Sequence, residues 1–210
     1  MALQSAFKPA DTDHPIYELI AQRWSPRAFR DEPVDDETLC ALFEAARWAP
    51  SSGNSQPWHF IVARRHADPD GFARLASTLM PGNDVWAARA PVLVLTVARE
   101  QSEKSGKPQP HAWHDVGMAT YAFFMEVTAR GLHAHPMAGF YADKARELCG
   151  IPEQHAPVAM IALGHFGDVE ALPEDIQKRE AAPRVRKPLK DFLHEGVFAA
   201  QATFLPTRLP

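Results

Sequence analysis

Residues 46–65 read ARWAPSSGNSQPWHFIVARR. An apolar helical segment runs into this stretch, and a strand-like segment, Trp58-His59-Phe60-Ile61-Val62-Ala63, runs out of it. Between them, Pro50, Ser51, Ser52, Gly53, Asn54, Ser55, Gln56 and Pro57 bring hydroxyls and amides but no charge. Groups that both donate and accept suit a neutral polar ligand, such as a polyol chain or the edge of a pyrimidine-like ring. A loop bonded only to itself through Ser and Asn turns is the competing reading.

Outward from this loop, helical and strand patterns succeed one another. A helix opens at Pro15 and ends near Arg23, because Pro26 disfavours helical geometry at Ser25. Asp35 is a good N-cap for a second helix, in which Leu39, Leu42, Phe43 and Ala46 recur at helical spacing. A short helix over 69–78 and a turn over 81–84 precede the apolar run 91–97, which reads as a central strand covered on both faces. Residues 100–110 form a polar loop. The longest helix follows over 113–130, apolar nearly all round and therefore expected to be buried, with Gly131 as its stop. A short strand, a helix ending at Cys149-Gly150 and a strand over 158–163 complete the pattern. Helices clustered around a few strands predict an α+β sandwich, a single domain over 1–210. The tail 196–210 carries Phe198, Phe204, Leu205 and Leu209 and needs a partner surface.

Composition excludes several classes. The net charge of −4 provides no global basic footprint for nucleic acid. The longest largely apolar run, 90–98, is far short of the roughly 20 residues of a spanning helix. No apolar signal region precedes Pro15, and Cys40 and Cys149 lack metal-type spacing, so a reduced cytoplasmic chain is expected. His133 and His135 share a strand face and His111 and His114 a helix face, without a carboxylate or cysteine at ligand spacing, so no metal is expected. No phosphate-binding loop, dinucleotide glycine fingerprint or nucleophile elbow is present. Asp115 and Glu126 read as solvated or paired.

Two further constellations remain. Arg23-Trp24-Ser25-Pro26-Arg27 can converge on a phosphate through charge-assisted bonds, or be a solvated basic helix end. Arg184 and Arg186 form a second basic pair. Pro136-Met137-Ala138-Gly139 follows a strand, and its small residues allow a flat ligand to approach the backbone, or make a plain turn.

The segments RWSPRAF, APSSGNSQPWHFIV, GLHAHPMAGF, VAMIALGHFGD and PRVRKPL, in this order, resemble the FMN-dependent nitroreductase family over residues 17–191. The resemblance implies an obligate α+β homodimer, with FMN in the interface and the C-terminal arm 196–210 reaching toward the partner subunit. It implies electrons passing from NADH or NADPH through flavin N5 to a nitroaromatic, quinone or similar acceptor, by a ping-pong mechanism with no side-chain acid or base assigned. By position, Arg23, Trp24, Ser25, Arg27, Arg184 and Arg186 fall on the phosphate and ribityl side. Pro50, Ser51, Ser52 and Asn54 fall on residues brought from the neighbouring subunit, and Gln56 supports that loop. Pro136, Met137, Ala138 and Gly139 lie along the isoalloxazine, with Asn83 aligned to its pyrimidine edge. Two positions depart from the pattern: Trp24 replaces a second arginine of many relatives, and Ala138 replaces a glutamate of some. A specialised branch (flavin fragmentation, dehalogenation or ene reduction) and a non-catalytic FMN-binding protein are the alternatives.

Overall fold

The computed structural model describes residues 8–205. Its centre is an antiparallel sheet of β1 (Trp58–Arg64), β2 (Val92–Arg99), β3 (His133–Met137) and β4 (His155–Gly164), in the order β1-β2-β4-β3. All eight positions of β2 are buried. Side chains alternate between the faces of a strand, so this one apolar run feeds two cores. Leu93, Leu95 and Val97 join Met160 and Ala162 of β4 on one face, while Val92 and Val94 join Ile161 and Leu163 on the other.

Helices close both faces. On the first lie α3 (Pro69–Ala76), α4 (Asp84–Ala87), α6 (Ala142–Cys149) and α7 (Glu174–Ala181), which contribute Leu75, Trp86, Ala145 and Ile176 to that core. On the second lie α2 (Asp36–Arg47) and the 18-residue α5 (Ala112–Ala129), which contribute Leu42, Ala119, Phe123 and Val127. Asp35 caps α2 as expected, its carboxylate accepting from Thr38 N–H at 2.7 Å. Gly131 follows α5 at φ 69°, a left-handed conformation that favours glycine.

Two element starts and one burial pattern depart from the sequence reading. The first helix, α1 (Glu18–Gln22), does not start at Pro15, because Tyr17 is still extended at ψ 137°. Strand β4 begins at His155 rather than residue 158. A register shift after Thr96 lets β2 pair with Pro157, where β3 no longer flanks the sheet and a missing N–H is tolerated. The long helix is buried along one stripe only: Trp113, Met118 and Tyr121 are exposed. Among the described residues, no helix is long and apolar enough to cross a membrane.

Candidate functional site

The basic segment lies directly after α1, whose C-cap is Arg23. Arg23 Nη1 donates to Ser25 Oγ at 3.2 Å. Arg184 reaches the same helix end, donating to the carbonyls of Lys8 and Ala21 at 2.7 and 2.8 Å. Burial pushes the Arg23 guanidinium below its ordinary pKa, and the charges of Arg184 and Arg186 push it the same way. Burial and Arg186 do the same to Arg184. Among the described residues, no carboxylate makes an ion pair with Arg23, Arg184 or Arg186. Three guanidiniums that repel one another without a counter-charge concentrate positive potential at this end of α1.

Arg27 is handled differently. Glu180 of α7, only 5% exposed, accepts from the Arg27 backbone N–H at 2.8 Å and from its Nη1 at 3.4 Å. The guanidinium also lies 5.9 Å from the Trp86 ring centroid. Its Nε is buried and has no hydrogen-bond partner among the described residues. Burial and Arg179 lower the Arg27 pKa, and Glu180 opposes them. Trp24 turns inward, its ring 5.6 Å from that of Phe166 and 6.0 Å from that of His133.

Two devices tie this segment to the sheet. Phe29 bridges Phe166 in antiparallel fashion, with Arg30 N–H donating to the His165 carbonyl and Gly167 N–H to that of Ala28, each at 3.0 Å. A Cβ at Gly167 would collide with the Phe29 carbonyl, so glycine allows the two chains to lie this close. The second device is His135 on β3, whose Nδ1 lies 2.9 Å from the Pro26 carbonyl and must therefore donate to it. Burial drives the His135 pKa down to about 4, against the hydrogen bond to Pro26 and with help from Arg27, Arg179 and Arg23. The imidazole is thus neutral near pH 7. The segment 136–139 continues from this histidine: Met137 is buried in the core, while Gly139 presents its carbonyl to Met80 N–H at 3.0 Å and Asn83 Nδ2 at 3.1 Å. A side chain on Gly139 would collide with Asn83 Nδ2. The basic segment, the small-residue segment and Asn83 therefore belong to one connected site.

The neutral loop is anchored elsewhere. Ser52, Gly53, Asn54 and Gln56 are exposed. Internal bonds run from Asn54 N–H to the Ser51 carbonyl at 3.0 Å and from Gln56 N–H to Ser51 Oγ at 3.0 Å, and Gln56 Nε2 supports Asn54 Oδ1 at 3.1 Å. Asp115, 3% exposed in the first turn of α5, accepts from Ser52 N–H at 3.0 Å. Arg99, 9% exposed at the end of β2, donates from Nη2 to the Ser55 carbonyl at 2.9 Å. Among the described residues, no hydrogen bond or ion pair joins the loop to Arg23, Arg27, Arg184 or Arg186 within one chain. Glu180 and Arg99 were not singled out by sequence, and Asp115 only as a solvated or paired acid. Asp115 carries a signal as a charge in the first turn of an apolar helix and Arg99 as a charge at a strand end, whereas Glu180 is one charge among several in α7. No group of three or more His, Cys, Asp or Glu is placed to hold a metal among the described residues.

The fold defines an α+β sandwich built on a four-stranded antiparallel sheet with helices on both faces. The model of the Nitroreductase family matches residues 20–165, and the chain belongs to the nitroreductase family. A solved structure described as an oxidoreductase containing FMN is similar, with a TM-score of 0.85 at 35% identity, covering 91% of this chain and 96% of that one. A Streptomyces coelicolor protein provisionally named NADH dehydrogenase/NAD(P)H nitroreductase is 33% identical over 159 residues, 66% of this chain and 76% of its own. The 5,6-dimethylbenzimidazole synthase of Rhodospirillum rubrum is 29% identical over 194 residues, 80% of this chain and 92% of its own.

Proposed function

We propose that the protein is an FMN-dependent oxidoreductase that takes electrons from NADH or NADPH and passes them to a nitroaromatic, quinone or similar acceptor. The observation that carries this reading is the uncompensated cluster of Arg23, Arg184 and Arg186, joined through Pro26 and His135 to the small-residue segment 136–139. The names of the similar proteins point the same way. The residues fit a phosphorylated flat ligand. The cluster supplies cations for a phosphate, Ser25 and the orphaned Arg27 Nε supply donors, and the backbone of Pro136, Met137, Ala138 and Gly139 supplies a surface without bulky exposed side chains. Bound FMN supplies hydride chemistry between a reduced nicotinamide and an oxidised acceptor. The chain's own part is to hold the phosphate, orient the ring through Asn83 and Gly139, and keep a neutral His135 beneath the site.

The loop 50–56 then serves the flavin of a second subunit in a homodimer. Exposed apolar side chains support such an assembly: Tyr17 and Ile20 at α1, Trp113, Met118 and Tyr121 on α5, and Val197, Phe198 and Phe204 in the C-terminal arm. Residues 206–210 of that arm, with Leu209, lie outside the described residues. Free Cys40 and Cys149 suit a reducing cytoplasm.

The deciding experiment is anaerobic reduction of the purified protein with NADH and with NADPH, followed by a panel of acceptors. Yellow protein that releases FMN, bleaches with a nicotinamide and recovers with an acceptor supports the reading. A colourless protein that takes up no FMN overturns it. The long match to the Rhodospirillum synthase motivates a second reading, a flavin-fragmenting enzyme. Formation of 5,6-dimethylbenzimidazole from the flavin would favour it.

A further inference from the structure

We propose that Asp115 and Arg99 are positioning residues for the loop 51–56, fixing its backbone from beneath so that its uncharged side chains meet FMN already ordered. The inference rests on the proposed FMN-binding function and deepens it. The loop holds an unfavourable conformation: Gly53, Asn54 and Gln56 have φ of 57°, 53° and 45°. Left-handed backbone is strained for a residue with a Cβ, least so for Asn, and persists only where the surroundings enforce it. The loop's internal bonds account for the N–H groups of Asn54, Ser55 and Gln56 and leave that of the exposed Gly53 open; two further groups, the N–H of Ser52 and the carbonyl of Ser55, find no partner within the loop. Those two groups are the ones the buried charges take, the carboxylate of Asp115 accepting at 3.0 Å and the guanidinium of Arg99 donating at 2.9 Å.

Charge-assisted bonds are stronger than neutral ones, and here they come from residues 63 and 44 positions away in sequence. Each charge has its own second partner: His114 beside Asp115 at 3.2 Å, and Glu103 beside Arg99. The Arg99 backbone N–H also donates to the Pro57 carbonyl at 2.8 Å, which fixes the loop's exit. Both ends of the strained turn are thereby tied to β2 and α5, while the side chains of Ser52 and Asn54 face outward. A ligand meeting such a loop does not have to order it, and that preorganisation appears as affinity.

The test titrates FMN into apoprotein and compares each variant's Kd with the urea midpoint of the same apoprotein. Asp115→Ala should raise Kd about tenfold, and Asp115→Asn, whose amide oxygen still accepts, should stay within about threefold of wild type. Ser52→Pro deletes the donor while leaving Asp115 intact, and Ser51, extended at φ −147° and ψ 155°, tolerates a following proline. Its Kd should rise about as much as that of Asp115→Ala, and the double variant should be no weaker than either single one. Ser52→Ala keeps the N–H and controls for the hydroxyl. Arg99→Met should weaken FMN comparably, and Arg99→Lys less. Should Asp115→Ala fail to fold, Ser52→Pro and the Arg99 pair carry the same comparison. Wild-type Kd in Asp115→Ala or Ser52→Pro, or affinity that follows the urea midpoint through every variant, overturns the positioning role. A wild-type protein that takes up no FMN sinks the proposed function itself, a result distinct from both.

Discussion

Glu180 holds Arg27 at two points, the backbone N–H at 2.8 Å and the guanidinium at 3.4 Å, across 153 residues of sequence. The carboxylate is nearly inaccessible, with a side-chain exposure of 3%. Removing the arginine side chain leaves that carboxylate buried without a counter-charge, held only by the backbone N–H of residue 27. Arg27→Ala should therefore lose about 3 kcal/mol of stability, the cost of breaking a buried pair from one side. Replacing Glu180 by Gln in the same chain should recover part of the loss. Urea melts of the two single variants and the double variant check this, and strictly additive losses would contradict it.

Stability should fall in mild acid. The folded His135 pKa of about 4 lies below its ordinary value of 6.5, so the unfolded chain binds the extra proton first. The contribution is fully present above about pH 6.5 and is lost as pH falls toward 4, by about 3 kcal/mol. Burial shifts His59 and His155 in the same direction, so His135→Asn should flatten the pH dependence without abolishing it. Urea midpoints from pH 7 to pH 4.5 supply the measurement. An unchanged slope in the variant would show that His135 is not the group involved.

Gly167 should not tolerate alanine. The added methyl meets the Phe29 backbone rather than a flexible side chain, so the bridge beside the basic segment must open. The expected cost is about 1–3 kcal/mol, with weaker FMN retention because Arg27 lies only two residues before Phe29. Thermal melting and flavin content after gel filtration report the two effects. Gly117, where a Cβ meets nothing within 4 Å, is the matched control.

A site shared between subunits predicts complementation. Arg23→Ala and Asn54→Ala should each weaken FMN, and mixing the two under subunit exchange should restore one intact site per heterodimer. Arg23 is the better choice than Arg27, whose loss also strands Glu180. Random exchange turns about half of the dimers into heterodimers, so recovery toward about a quarter of wild-type FMN binding supports the shared site. No recovery after exchange proven by mass would place the loop and the arginines of one chain on that chain's own flavin and refute the shared site.

Turnover should be ping-pong, because in the proposed mechanism one slot serves donor and acceptor in turn. Initial rates at several acceptor concentrations should yield parallel double-reciprocal lines. Intersecting lines would require both substrates bound together.

The parts of this molecule that sequence made legible are those written in local chemistry. Asp35 announces α2 because its carboxylate needs only Thr38, three residues on. The apolar run of β2 reads as a central strand because every position is buried. The basic segment, the neutral loop and the segment 136–139 stand out by residue type alone. What stayed illegible depends on distance along the chain. Glu180 is one of several charges in α7 until the fold places it under Arg27, and Asp115 becomes an anchor only where Ser52 comes to lie above it. The displaced start of β4 has a similar origin, since Pro157 is tolerated there only because β3 stops short of it.

The sheet ends on one side in β3, a five-residue strand with Pro136 inside it. A proline has no N–H to offer a neighbouring chain, and short edge strands make poor templates. This rim is thus closed to fibril-like growth, and two copies of this chain cannot join by extending the sheet past β3. Any pairing on that side is left to side chains, a contact that can be sealed by shape without recruiting a third copy.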